Sequence, residues 1–75
     1  MIIKYSSKTQ DITDTSKVIY WFEVQLWDIP GGNIFIGFDQ NRNFTHASKT
    51  FFELDIHVRE NILSEARSLV ERVVA

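Results

Sequence analysis

Seventy-five residues fit one domain, and a chain this small buries only about 60 to 65% of the surface its unfolded form exposes, so its core is marginal. The absence of cysteine excludes a disulfide staple and thiolate metal ligation, leaving rich apolar packing or self-association to compensate. A net charge of −2, with four lysines and four arginines scattered along the chain, provides no basic stripe to neutralise phosphates and argues against a nucleic-acid partner.

In chain order, Ile2, Ile3 and Tyr5 suit a short edge strand whose partner the sequence leaves open. The chain then turns polar at once, without the apolar run of a signal peptide or a membrane span, so a cytoplasmic protein with no membrane contact is expected. Residues 6–17, SSKTQDITDTSK, contain a single apolar residue, Ile12, and read as a polar loop or mobile arm.

Residues 18–27, VIYWFEVQLW, alternate with period two. Val18, Tyr20, Phe22, Val24 and Leu26 fall on one face, and Ile19, Trp21, Glu23, Gln25 and Trp27 on the other. The segment from Asn33 to Phe38 repeats the pattern, with Ile34, Ile36 and Phe38 on the core face and Phe35 and Gly37 opposite. Between the two strands, Pro30-Gly31-Gly32 raises the question of a ligand loop. A phosphate loop needs a following helix N-terminus, and here a strand follows, so the glycines are assigned to a hairpin turn. A three-residue turn opposes Leu26 to Ile36, Val24 to Phe38 and Trp27 to Phe35, which keeps like faces together.

Residues 39–43 form a second polar turn, and Phe44 to Ala47 a third strand with Phe44 opposite Phe38. Thr50 and Glu53 have capping-box spacing at a helix start. Neither glycine nor proline interrupts residues 51–74, so one long C-terminal helix is expected. Phe51, Leu54, Val58, Ile62, Leu69 and Val73 make one apolar stripe, and Phe52, Ile56, Leu63, Val70 and Val74 another, with Ala66 between. An unbroken helix there spans about 36 Å, against about 17 Å for a five-residue strand. Its last turns would overhang, so Leu63, Leu69, Val70, Val73 and Val74 are expected to form a dimer or partner face. A break near Ser64 that folds the last turns back is the alternative. The expected architecture is therefore α/β in βββα order: a three-stranded antiparallel sheet, with an optional fourth N-terminal edge strand and one long helix, in a single domain over residues 1–75.

The hairpin, the third strand and the segment THASKTFFELDIHVRENI, in which Thr50, Phe51, Glu53, Leu54, Val58, Arg59, Glu60 and Ile62 fall in order, resemble the HicB-like family of antitoxin-related domains over about residues 18–62. GFDQNRNF stands where that family usually carries a P-x-L-x-G-C stretch. The resemblance implies a partial ribonuclease-H-like fold without catalytic carboxylates, which masks a toxin ribonuclease or dimerises. No ligand residues carry over, because the family is recognised by scaffold.

The residues give little to catalysis. His57 lies near Glu53 and Glu60 at helical spacing, but a zinc site needs three or four ligands and HExxH is absent. His46 suits a packed or edge position. Asp28 and Asp39 flank the second strand roughly 20 Å apart, too far for a carboxylate pair. The serines lack a nucleophile elbow. Asp55 and Arg59 read as an ordinary i,i+4 helix pair. No cofactor and no metal are expected, and the chain reads as a non-enzyme.

Trp21, Trp27 and Phe35 then stand out as the expected partner-binding residues, since tryptophan is enriched at binding hot spots. The alternative is that Ile3 and Tyr5 fold over their face. The expected function is protein binding. The partner would be a toxin-like nuclease, a host or phage defence component, or a second copy in a homodimer, with an accessory-subunit role and a single-stranded nucleic-acid site as rivals.

Overall fold

The computed structural model describes residues 1–10, 12–14, 16–27 and 34–74. The alternation in the two most apolar segments is realised as strands β2 (Val18–Gln25) and β3 (Ile34–Asp39), paired antiparallel. Phe22, Val24, Ile34, Ile36 and Phe38 project to one side and are fully buried. Strand β1 (Ile2–Gln10) joins the far side of β2, and β4 (Phe44–Ala47) joins β3, giving a four-stranded antiparallel sheet in the order β1-β2-β3-β4.

The N-terminal segment extends the sheet rather than folding over it. Ile3 pairs with Val24 and Tyr5 with Phe22, and the Tyr5 and Phe22 rings meet edge to face at 5.7 Å. A bulge between Tyr5 and Ser7 then shifts the register, so Ser7 opposes Trp21 and Thr9 opposes Ile19. The strand runs to Gln10, so residues 6–10 are strand and not the start of the loop expected from Ser6. The strand was illegible because an edge strand exposed along most of its length carries no apolar alternation. Lys4, Lys8 and the bulge are the devices by which natural sheets blunt such an edge.

The β2–β3 register also differs from expectation. Val24 pairs with Ile34, Phe22 with Ile36 and Tyr20 with Phe38, so Leu26 is not opposite Ile36 and Trp27 is not opposite Phe35. Parity permits both registers, because an even slip leaves every side chain on its own face. The expected Pro30-Gly31-Gly32 turn lies outside the described residues. The pairing of Phe44 with Phe38 is as expected.

Helical structure comes in two pieces, α1 (Lys49–Phe52) and α2 (Ile56–Val74). The break falls at residues 53–55, not near Ser64. The Thr50–Glu53 capping box does not form: Ser48 is the N-cap of α1 and Glu53 its C-cap. Asp55 starts α2, its Oδ1 accepting the His57 N–H at 2.9 Å and its carbonyl the Arg59 N–H at 3.0 Å. This is the N-cap role for which aspartate is strongly preferred. The carboxylate expected to pair with Arg59 is thus a cap, and Arg59 Nε is buried without a hydrogen-bond partner.

The core lies between the sheet and this helical layer. Ile62, Ala66 and Val70, spaced by four, are fully buried, and Phe51 closes the core from α1. Leu63, Leu69, Val73 and Val74 are half-buried and pack against the same cluster. The helix therefore has one broad inner face, and its end does not overhang. At about 1.5 Å per residue, the 19 residues of α2 span about 28 Å. The nine and eight residues of β1 and β2 beneath it cover about 27 to 30 Å at roughly 3.4 Å each. Val70 is fully buried and forms no surface, so it drops out of the expected helix-end face, while Leu63, Leu69, Val73 and Val74 remain part-exposed. The exposed apolar side chains of this layer are instead Phe52 and Ile56, at 56% and 54%.

Two substitutions test this layer by urea denaturation. Ile62→Ala is expected to cost about 2 to 5 kcal/mol, the usual range for emptying a closed aliphatic site. Asp55→Ala is expected to cost about 1 kcal/mol as a lost cap, while Glu53→Gln changes stability by less than about 0.5 kcal/mol.

Candidate binding face on the open side of the sheet

The helices cover one side of the sheet only. On the other, β1 contributes Ile2, Lys4, Ser7 and Thr9, β2 Ile19, Trp21, Glu23 and Gln25, β3 Phe35, Gly37 and Asp39, and β4 His46. The central strands place Ile19, Trp21 and Phe35 here beside Glu23, Gln25 and Asp39, and the edge strands add mostly polar groups. Polar rim around apolar centre is the anatomy of a protein interface.

Trp21 pairs directly with Gly37, while Phe35 pairs with Glu23. Trp21 and Phe35 are therefore diagonal neighbours, a spacing of roughly 7 to 8 Å that aromatic side chains bridge. A Cβ on residue 37 would lie 2.8 Å from Ile19 Cγ2, 3.2 Å from Trp21 Cζ3 and 3.3 Å from His46 Cβ. The missing side chain lets the indole settle across the strand, a known way of covering a glycine in a sheet. His46 meets the ring from β4, with centroids 5.7 Å apart. The indole Nε1–H donates to Thr9 Oγ1 at 2.9 Å, which fixes the ring's orientation and satisfies its only donor.

Phe35 is held from the other side. Its N–H donates to Ser48 Oγ at 3.1 Å, and the Ser48 N–H donates to the Phe35 carbonyl at 2.9 Å. Ser48 is thereby clamped to β3 at the point where the chain leaves β4 for α1, and its hydroxyl is unavailable as a helix cap. Together Ser6, Ser7, Thr9, Trp21, Phe35, Ala47 and Ser48 line an open cleft of about 550 Å³. A smaller hollow continues past Ile19 and His46 to Lys17.

Of the residues expected to bind a partner, the structure brings Trp21 and Phe35 together and leaves Trp27 apart. Trp27 lies beyond the end of β2, 80% exposed, and does not line the cleft. Ser7, Thr9, Gly37, His46 and Ser48 were missed as members of this face. A glycine in a strand opposite a tryptophan was a usable signal, but only once the register was known. The hydroxyl residues gave none, because their placement depends on the bulge in β1.

The electrostatics of the face are balanced. Lys4 pairs across the strands with Glu23 at one end, and Lys17 and Asp39 border a common hollow at the other. Asp39 Oδ1 is engaged in its own turn, accepting the N–H groups of Asn41 and Asn43 at 2.8 and 2.9 Å. Among the described residues no group of three or more His, Asp or Glu side chains is placed to hold a metal ion. No helix among them is long and apolar enough to cross a membrane. Comparison with protein-family models, with curated proteins and with solved structures gives no match for this chain.

The close approach at Gly37 gives a direct test of the face's construction. Gly37→Ala is expected to destabilise the fold by about 1 to 3 kcal/mol through overpacking against Ile19 and Trp21. Relief of strand entropy alone would instead stabilise it by up to about 1 kcal/mol. Urea denaturation of the variant distinguishes the two signs.

Proposed function

We propose that this chain is a non-catalytic protein-binding module that receives its partner on the open face of the sheet, in the manner of an antitoxin or an inhibitor of a nuclease or defence component. The observation that carries this reading is the pair Trp21 and Phe35 on the central strands, over a cleft that no segment among the described residues fills. An antiparallel sheet meant to face water ordinarily alternates apolar inside with polar outside. Here β2 and β3 are apolar on both sides at their centres. Binding hot spots are enriched in tryptophan and sit in desolvated pockets within a polar rim.

The charge pattern favours protein over nucleic acid as the occupant. Stacking platforms for single strands work beside a positive groove, whereas this face carries Glu23 and Asp39 as well as Lys4 and Lys17. The antitoxin-like part of the reading rests on the resemblance of residues 18–62 to the HicB-like scaffold.

The reading is tested by titrating the protein into RNA-cleavage assays of small toxin-type ribonucleases. Stoichiometric suppression of cleavage is expected. Phe35→Glu, with an unchanged circular dichroism spectrum, is expected to weaken suppression by at least about 30-fold, the size of a hot-spot loss. Equal suppression by the variant would show that the open face is not the docking surface.

A further inference from the structure

Resting on the reading of the open face as a protein-docking surface, we propose that His46 makes docking there pH-dependent: the neutral imidazole admits a partner, and the imidazolium disfavours one. Three features of the molecule support this.

The first is placement. Strand β4 sets His46 opposite Gly37 on the open side, and a Cβ on residue 37 would stand 3.3 Å from His46 Cβ and 3.2 Å from Trp21 Cζ3. The missing side chain lets imidazole and indole meet across β3, with centroids 5.7 Å apart and planes tilted by 53°. A partner that covers Trp21 reaches His46 as well.

The second is the tautomer. Thr45 Oγ1 lies 3.4 Å from the Gly37 carbonyl oxygen, which only accepts, so the hydroxyl proton is directed there. The same hydroxyl oxygen lies 2.9 Å from His46 Nδ1. With its one proton committed, it can only accept from the ring, so neutral His46 carries its hydrogen on Nδ1. Nε2 is then the atom that titrates. Neutral, it offers a partner one acceptor; protonated, it becomes a cationic donor.

The third is charge. The hollow beside His46 is lined by Thr9, Gln10, Lys17 and Ile19, one positive group and no carboxylate. Asp39 borders the next hollow with Lys17 and Thr45, and its Oδ1 is engaged by the N–H groups of Asn41 and Asn43. Glu23 lies farther along β2, where Lys4 opposes it, and the charged groups of α1 and α2 lie beyond the other side of the sheet. In open water the indole favours the imidazolium. Covering the face strips the water from that cation, and this chain supplies no counter-charge, a cost that outweighs the ring contact. The docked state therefore holds fewer protons than the free one, and docking is lost as pH falls through the histidine range.

The free chain is read first. In Trp27→Phe, which leaves Trp21 as the only indole, emission should fall between about pH 8 and 5 as the imidazolium forms against the ring. His46→Gln should abolish that titration, and His57→Gln, in α2 on the helical side, should leave it unchanged. Long-range proton–nitrogen NMR spectra should show the Nδ1–H tautomer of His46, and Thr45→Val should lose that preference. Suppression of a toxin-type ribonuclease is then compared at about pH 7.5 and about pH 5.5. The ratio of wild-type to His46→Gln protein needed for half suppression should rise about 5- to 10-fold at the lower pH, the span that one proton allows. The ribonuclease's own response to pH cancels in that ratio. Emission that does not titrate, an Nε2–H tautomer, or a ratio that does not move overturns the inference and leaves the docking face standing. Suppression that survives Phe35→Glu removes the docking face itself, and the switch with it.

Discussion

A strand that is apolar on both faces needs a layer on each side, and among the described residues the chain supplies one. This mismatch organises the molecule. Strands β2 and β3 bury Phe22, Val24, Ile34, Ile36 and Phe38 against Ile62, Ala66, Val70 and Phe51, and the same pleat turns Ile19, Trp21 and Phe35 to the opposite side. Side-chain period two leaves no alternative: fixing the inner set fixes the outer one. The outer set then follows its own packing rules, with Gly37 as the floor under Trp21 and Thr9 and His46 as its lateral contacts.

The edges of the sheet are arranged around this constraint. Strand β1 brings hydroxyls to the open side through its bulge, and β4 brings His46. Ser48 fastens the exit of β4 to Phe35. Within the rim, the Thr9, His46 and Ser48 side chains are already hydrogen-bonded inside the chain, so covering them strands few unsatisfied donors or acceptors. That lowers the desolvation cost which otherwise opposes docking on a polar surface. A face prepared this way loses little on association and gains the remaining burial of an indole and a phenyl ring that are already part-buried in the isolated chain.

How much of this could be read from the residues depends on what each signal measures. Period two in VIYWFEVQ identifies the strand and its two faces, and Phe44 against Phe38 is fixed by a short turn. The β2–β3 register is another matter, because registers an even number apart satisfy the same parity and only the geometry of the connection separates them. Trp21 and Phe35 were therefore found on one face while Trp27 was wrongly placed beside them. The C-terminal end shows a second limit. The absence of glycine and proline allows a continuous helix but does not enforce one, and Asp55 is a good enough cap to start α2 anew. With the helix shortened and β1 longer than its polar sequence suggests, the overhang disappears, and Leu69, Val70, Val73 and Val74 become part of the core side. The most exposed apolar side chains are Trp27 past the end of β2 and Phe52 and Ile56 on the helical side, while Trp21 and Phe35 are part-buried on the open face of the sheet.

On this reading the open face is part-exposed in the isolated chain and covered in the assembled one. Trp27→Phe leaves Trp21 as the sole indole, and acrylamide quenching of its fluorescence, followed in the free chain and then with a partner added, reads that change directly. Measurable quenching of the part-buried indole is expected for the free chain, and marked protection once a partner is bound. An indole already shielded in the free chain, or one whose quenching never changes, would contradict it.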